Sequence, residues 1–244
     1  YFAGGGEPLL HPRAWDALEL SVRKGFTTSL HTNFSLVDDD GLSRLLDIGV
    51  HYLTVSLWAG SEDTYLATHP GASPGDYDRI IERITELNRR KVDRPQAKLY
   101  HVLTAQNAHE LNDMFRTAEE SGCEMVEFAV AETVPGGTEE HGLTGEIARR
   151  CEVELQPLLQ RALWRQPRLQ GGQDLGRRLA ALSEGRDSDN ALVHEVPCFA
   201  GWAYSRVMAD GRVIPCLKAH RIASGNLHDE SFTEIWQGGR QKSF

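Results

Sequence analysis

The sequence has few cysteines, no long run of one charge and no apolar stretch of membrane-spanning length. Each absence removes a class of function. Its four cysteines, Cys123, Cys151, Cys198 and Cys216, are too few and too scattered over 244 residues for a disulfide scaffold. Reduced thiols and a cytoplasmic location follow as the default. Lysine and arginine form no block and the formal net charge is −9, which argues against nucleic acid as a partner. No segment has the roughly 20 apolar residues that a bilayer requires, and none is laid out as a signal peptide, so no membrane partner is expected. An initiator methionine is also lacking. Tyr1 to Ala3 reads as the end of a buried strand, and Gln241-Lys242-Ser243-Phe244 stops without a natural ending. A piece of a longer protein is expected.

What is present is an ordinary globular composition, 40% hydrophobic and 25% charged, enough for one large domain or a large and a small one. Trp15, Leu18 and Val22 mark an amphipathic helix closed by Lys24-Gly25. A short strand follows over Thr27 to His31, then a helix from Asp39 to Ile48, then a β-branched strand from His51 to Leu57. Glu62-Asp63 opens a helix that His69-Pro70-Gly71 breaks. Tyr77, Ile80, Ile81, Ile84 and Leu87 form the clearest helical stripe. Ala97 to Thr104 and Glu124 to Val130 read as strands around a helix marked by Leu111, Met114, Phe115 and Ala118. Strand and helix alternate through about 150 residues, the signature of a parallel sheet with helical crossovers. A long helix, Leu143 to Trp164, carries Pro157 as a candidate kink. The polar stretch 165–190, with a weak helix near Leu175 to Leu182, reads as a bridge to the tail.

The candidate site begins at Gly4-Gly5-Gly6-Glu7-Pro8. Glycines after a strand permit positive φ and let a ligand touch bare backbone. A plain tight turn needs one or two of them, not three. Asn33, Ser56, Thr104 and Pro135 likewise fall at or just after strand C-termini, the edge where sites form in such sheets and barrels. Each has a bland alternative: Thr32-Asn33 a turn cap, Val134-Pro135-Gly136 a turn, Trp58 a core tryptophan rather than a pocket wall. His31 and His101 are candidate proton carriers or simply satisfied polar groups. Cys123 and Cys151 read as core residues.

The stretch "FxGGGEPLLHP" resembles the radical S-adenosylmethionine (SAM) superfamily, whose second barrel strand ends in a Gly-Gly-Glu-Pro loop. Thr32-Asn33 stands where that family often has Thr-Asn-Gly, with Phe34 in place of the glycine. Val55-Ser56-Leu57 is similar to its Val-Ser-Ile/Leu-Asp-Gly strand end, with Trp58 in place of Asp. His101 to Thr104 with Asn107 resembles its "VVTxxN". The resemblance implies an α/β fold, a partial (βα)6 TIM-like barrel missing its first βα unit. It implies that Gly4, Gly5, Gly6 and Glu7 hold the methionine ammonium of SAM, and that Ser56 binds its carboxylate or ribose. Asn33, Thr104 and Asn107 would stand near SAM or substrate, and Pro135 near the adenine. The implied activity is reductive cleavage of SAM to a 5′-deoxyadenosyl radical that modifies a peptide or small-molecule substrate, with an external electron donor of flavodoxin or ferredoxin type. The family's [4Fe-4S] cluster needs Cys-x3-Cys-x2-Cys, a spacing that none of the four cysteines has. It is expected upstream of Tyr1, so residues 1–244 alone are expected to be inactive.

The tail carries a second resemblance. Cys198, an Asp210-Gly211 hairpin turn, Gly211-x4-Cys216 and then "GNLxxxSFxEIW" are similar to the SPASM or Twitch auxiliary-cluster domain of the same enzymes. This implies Cys198 and Cys216 as metal ligands. The further cysteines of that signature are missing; Lys218, His220 and His228 stand nearby. An auxiliary [4Fe-4S] cluster completed from elsewhere, a zinc site using His220 or His194, and a hairpin without metal all stay open. The expected domains are a barrel core over 1–140, bridging helices over 141–192 and a β-hairpin/helix domain over 193–244. The rival readings are a non-catalytic SAM-binding scaffold and an α/β barrel enzyme with a zinc-binding tail.

Overall fold

The computed structural model describes residues 1–3, 5–134, 136–186, 198–217, 219 and 221–243. Gly4, Pro135, His194, Lys218 and His220, all named above, lie outside them. The chain divides into two compact units, Tyr1–Ser188 and Asp189–Phe244.

Unit 1 is built on five parallel strands: β1 (Ser29–Thr32), β2 (Tyr52–Ser56), β3 (Gln96–Leu103), β4 (Met125–Val130) and β5 (Arg168–Gln170). They lie side by side in chain order. A monotonic order of parallel strands means that each right-handed crossover falls on the same side. This is the winding of a barrel, not of a doubly wound sheet that reverses at a switch point. The crossovers are α1 (Ala14–Arg23), α2 (Asp39–Ile48), α3 (Glu62–Thr68), α4 (Asp76–Arg90), α5 (Leu111–Glu120) and α6 (Gly145–Trp164); α7 (Gly172–Ser183) follows β5. Local signals set their ends. Asp38 caps α2 by accepting from the Gly41 amide at 2.8 Å, and Gly49 closes it at φ 70°. Helix α6 continues through Pro157.

The two faces of the sheet differ in chemistry. Leu30, Leu53, Val55, Ala97, Leu99, Leu103, Val126, Phe128 and Val130 point one way and join the core with Leu18, Leu45, Ile84, Leu111, Phe115, Leu155 and Leu175 of the helices. The other face carries His31, Thr54, Ser56, Lys98, Tyr100 and Glu127 in adjacent registers.

The structure departs from the sequence reading at three places. Tyr1 is 64% exposed, and Phe2 makes a single parallel bridge to Leu30, so these residues sit at the sheet's edge and are not a buried strand. A three-residue strand, Arg168–Gln170, pairs with β4 inside the polar stretch assigned to a bridge. It is too short and too exposed to leave a periodic signal. Helices α6 and α7 pack on each other within unit 1.

Unit 2 holds a three-stranded antiparallel sheet: β6 (Arg206–Val207), β7 (Arg212–Ile214) and β8 (Gly225–Asn226). The hairpin was expected; β8, two residues long, was not. Val213, Ile214 and Ile235 form its buried centre.

His101 faces the core and not the strand ends, which removes it as a proton carrier. It is 0% exposed and stacks on Phe128, ring centroids 5.3 Å apart. Neither ring nitrogen has a hydrogen-bond partner among the described residues. Burial alone pushes its pKa down to about 3. Between that value and the ordinary one near 6.5, the unfolded chain binds a proton that the folded one refuses. Stability therefore falls with pH through this window, by up to about 1.4 kcal/mol per unit. Relative to wild type, His101→Leu should gain in urea midpoint on going from pH 8 to pH 5; a difference independent of pH would refute the assignment.

Candidate functional site

Glu7 fixes the geometry at the C-terminal ends of the first strands. Its Oε1 accepts hydrogen bonds from Thr32 Oγ1 at 2.8 Å and the Leu9 amide at 3.0 Å, and its Oε2 accepts from the Asn33 amide at 2.7 Å. A carboxylate has about four acceptor positions, of which three are taken. The expected role, a charge offered to a ligand ammonium, is therefore joined by one the sequence did not show. The side chain pins the glycine loop to the end of β1 and caps the 3-10 turn Pro8–Leu10.

Gly5 and Gly6 are exposed, and a Cβ added to either would meet nothing within 4 Å. Neither has a left-handed φ. The conformational reason for glycine given above thus does not operate at these two positions. The bend is made by the following turn, where proline presets the backbone. What glycine leaves here is open space beside bare main chain.

Asn33 and Ser56 follow Thr32 and Val55, which are paired in register, so they sit side by side. Asn33 Oδ1 accepts from the Ser35 amide at 3.0 Å and from Ser35 Oγ at 2.8 Å, the turn-cap geometry weighed above. Phe34 adopts φ 64° and is 1% exposed. This is the position where the resembling motif has glycine. The left-handed backbone costs about 1–2 kcal/mol, which burial of a phenyl ring offsets. Ser56 is half-buried and its hydroxyl makes no side-chain hydrogen bond among the described residues. Trp58 is also left-handed, at φ 55°. Its half-buried ring lies 6.0 Å from that of His69, between the core and pocket-wall alternatives.

Thr104 and Asn107 are a different case. Asn107 is fully buried; it donates to Trp58 O at 2.8 Å and Val102 O at 2.9 Å, and accepts from the Thr104 amide at 2.8 Å. It is a clamp joining the ends of β2 and β3. Thr104 is four residues past Tyr100, the register partner of Ser56, and so stands about 13 Å further along the strand direction. Gly5, Gly6, Glu7, Asn33 and Ser56 are thus gathered at neighbouring strand ends, and Thr104 stands beyond them.

The polar face of the sheet holds residues that were not singled out from the sequence. Lys98 Nζ lies 2.5 Å from Glu127 Oε2 and 3.1 Å from Gln170 Oε1. His31 shares this face, its ring 5.6 Å from that of Tyr1. Burial, then the Lys98 ammonium, lower its pKa, so it is neutral at physiological pH. Their signal was the alternation of β3, in which Lys98 and Tyr100 interleave with Ala97, Leu99 and His101.

In unit 2 two glycines have reasons within the fold, one conformational and steric, the other steric. Gly211 has φ 79°, and a Cβ there would lie 2.7 Å from Asn226 Oδ1. One on Gly225 would lie 2.6 Å from Ile235 Cγ1. Ser231 and Glu234 close a capping box on the helix Phe232–Gln237. Cys198 is exposed, Cys216 half-buried, and both are free thiols. Among the described residues no three His, Cys, Asp or Glu side chains converge as a metal site. Two thiolates do not close a four-ligand cluster or zinc site.

Comparison with known proteins adds an independent finding. Residues 1–118 match the model of the radical SAM superfamily, and residues 198–244 match that of SPASM, an iron-sulfur cluster-binding domain. The chain is 24% identical over 246 residues to the AdoMet-dependent heme synthase of Methanosarcina barkeri, covering 96% of this chain and 66% of that protein. It is 20% identical over 273 residues to the tungsten-containing aldehyde ferredoxin oxidoreductase cofactor-modifying protein of Pyrococcus furiosus, covering 100% and 68%. Its fold is similar to that of Streptococcus suis SuiB bound to precursor peptide SuiA (TM-score 0.70, 15% identity, 98% of this chain and 54% of that one). It is similar also to that of anSMEcpe with bound AdoMet (TM-score 0.69, 16% identity, 99% and 64%). The chain spans about two thirds of the length of the two relatives and between half and two thirds of these two structures.

Replacing Glu7 by Ala leaves Thr32 Oγ1 and the Leu9 and Asn33 amides without their acceptor. Loss of about 2–3 kcal/mol of stability is expected from charge-assisted bonds that are only part-buried. Urea unfolding measures it, and an unchanged midpoint would show that Glu7 does not anchor the loop.

Proposed function

We propose, from the match of residues 1–118 to the radical SAM superfamily and of residues 198–244 to SPASM, that the whole protein is a radical SAM enzyme acting on a peptide or small-molecule substrate. The observation that carries this reading is the glycine loop. At Gly5 and Gly6 the fold itself has no use for glycine, so the residue type is explained by what approaches from outside. Relatives named for heme synthesis and cofactor modification, and fold neighbours bound to a precursor peptide or to AdoMet, support the reaction class and leave both substrate types open.

SAM held against a [4Fe-4S] cluster supplies, on one-electron reduction, a carbon radical able to abstract hydrogen from a substrate. The work assigned to this chain is binding. The main-chain carbonyls of the glycine loop accept hydrogen bonds from the ammonium. Glu7 holds that loop against β1 and keeps one acceptor position for the same group. Ser56, with an uncommitted hydroxyl one strand away, donates to the carboxylate or ribose. Asn33 shapes the turn between them, Thr104 meets the far end of SAM or the substrate, and Pro135, outside the described residues, would contact the adenine. Ligands for the catalytic cluster are not among Cys123, Cys151, Cys198 and Cys216, whose spacings do not suit it. Cys198 and Cys216 would supply two ligands of an auxiliary site, and no step is assigned to it. A flavodoxin- or ferredoxin-type donor would deliver the electron.

Gly5→Val tests the central claim, because its side chain enters open space at an unstrained φ. In the full-length, cluster-loaded protein, unfolding midpoints should match wild type, while titration calorimetry should show SAM affinity at least about tenfold weaker, the equivalent of one lost hydrogen bond. Unchanged affinity would sink the proposed binding loop.

A further inference from the structure

Tyr100 lies in the same row of the sheet as Ser56 on one side and Glu127 on the other. At about 4.8 Å between strands, the phenol stands one strand from the proposed SAM contact and the carboxylate two strands away. The Tyr100 side chain is half-buried and its hydroxyl makes no hydrogen bond among the described residues. Burial, then the Glu127 carboxylate, raises its pKa against the opposing Arg178 guanidinium, with Glu132 acting in the same sense as Glu127, so it stays a neutral phenol that can donate and accept. Glu127 is held by Lys98 at 2.5 Å, the two side chains being 27% and 14% exposed. Lys98 has three N–H donors and gives two, to Glu127 and Gln170. One donor and several carboxylate lone pairs remain.

A part-buried ion pair is weak evidence for stability, because apolar residues of similar volume often do as well. Its value here is as a surface. Donor and acceptor are presented side by side with no net charge, next to a neutral phenol and the neutral His31, and the Arg178 guanidinium and Glu132 carboxylate that also act on the phenol carry opposite charges. Such a wall complements a group that itself offers donor and acceptor without charge.

We infer that Tyr100, backed by the Lys98–Glu127 pair, is the substrate-contacting wall of the site, and that it takes an amide, as in a peptide main chain or a carboxamide. A free carboxylate or ammonium would leave one member of the pair opposed by a like charge. This rests on the radical SAM reading, since Ser56 sets where SAM lies.

The test uses full-length, cluster-loaded protein with 3-fluorotyrosine at position 100, with SAM affinity measured on the same sample. N-acetylglycinamide, acetate and methylammonium are titrated in the presence of SAM while the 19F resonance is followed. The amide should shift the resonance saturably; the two ions at equal concentration should not. Lys98→Met with Glu127→Gln should abolish the amide response while SAM affinity holds within about twofold and the melting temperature within a few degrees. A larger response to acetate or methylammonium, an amide response that survives the double variant, or no response while SAM binds normally overturns the wall. A melting temperature that collapses in the double variant makes the pair structural and also overturns it; the single variant Glu127→Gln then shows whether the phenol alone selects amides. Failure of wild-type protein to bind SAM overturns the functional reading and this inference with it.

Discussion

One carboxylate holds the opening of this fold in place. Glu7 accepts from a side chain and an amide at the end of β1 and from an amide of its own turn. Those bonds join the backbone bridge of Phe2 to Leu30 in tethering the loop to the sheet. Because the bonds run to Thr32 and Asn33, loop and strand end move as one body, and the open main chain of Gly5 and Gly6 is presented at a fixed place. A loop that must meet a ligand with bare backbone cannot rely on its own side chains for order. Here the order comes from the first residue after the glycines that has a side chain.

The rest of unit 1 follows from strand order. Parallel strands in sequence, each returning by a right-handed crossover, leave one face for helices and one for a site. Residues alternate accordingly. In β3, Leu99, His101 and Leu103 go to the core, and Lys98, Tyr100 and Val102 go to the other side. The same alternation separates the two strand histidines. His31 stands half-buried beside Tyr1, while His101 is sealed against Phe128. Both residues are histidines near strand ends; a single register step gives them opposite fates.

Unit 2 shows how a motif can be kept by packing alone. Gly211 and Gly225 are needed because Asn226 and Ile235 occupy the space a Cβ would take, and Gly211 also turns the hairpin. Their presence in the SPASM-matching segment is therefore explained before any metal is invoked. The ligand question is separate. It concerns Cys198 and Cys216, two free thiols at either side of that hairpin. A scaffold and its metal ligands answer to different constraints, and a chain can satisfy the first with only part of the second.

The alternating strands and helices, the parallel sheet, and the placement of candidate residues at strand ends were determined by the sequence itself, because hydrophobic period and glycine or aspartate caps are local properties. So were the two family resemblances, which rest on contiguous words. Strands β5 and β8 were not legible, being three and two residues long and held by neighbours distant in sequence. The anchoring role of Glu7 and the clamp at Asn107 were not legible either, since each is defined by partners across a strand gap. Left-handed Phe34 and Trp58 contradict local preference and persist because tertiary contacts pay for the strain. Only the assembled sheet decided that Lys98, Tyr100 and Glu127 share a surface with Ser56, because register is a property of paired strands and not of any one of them.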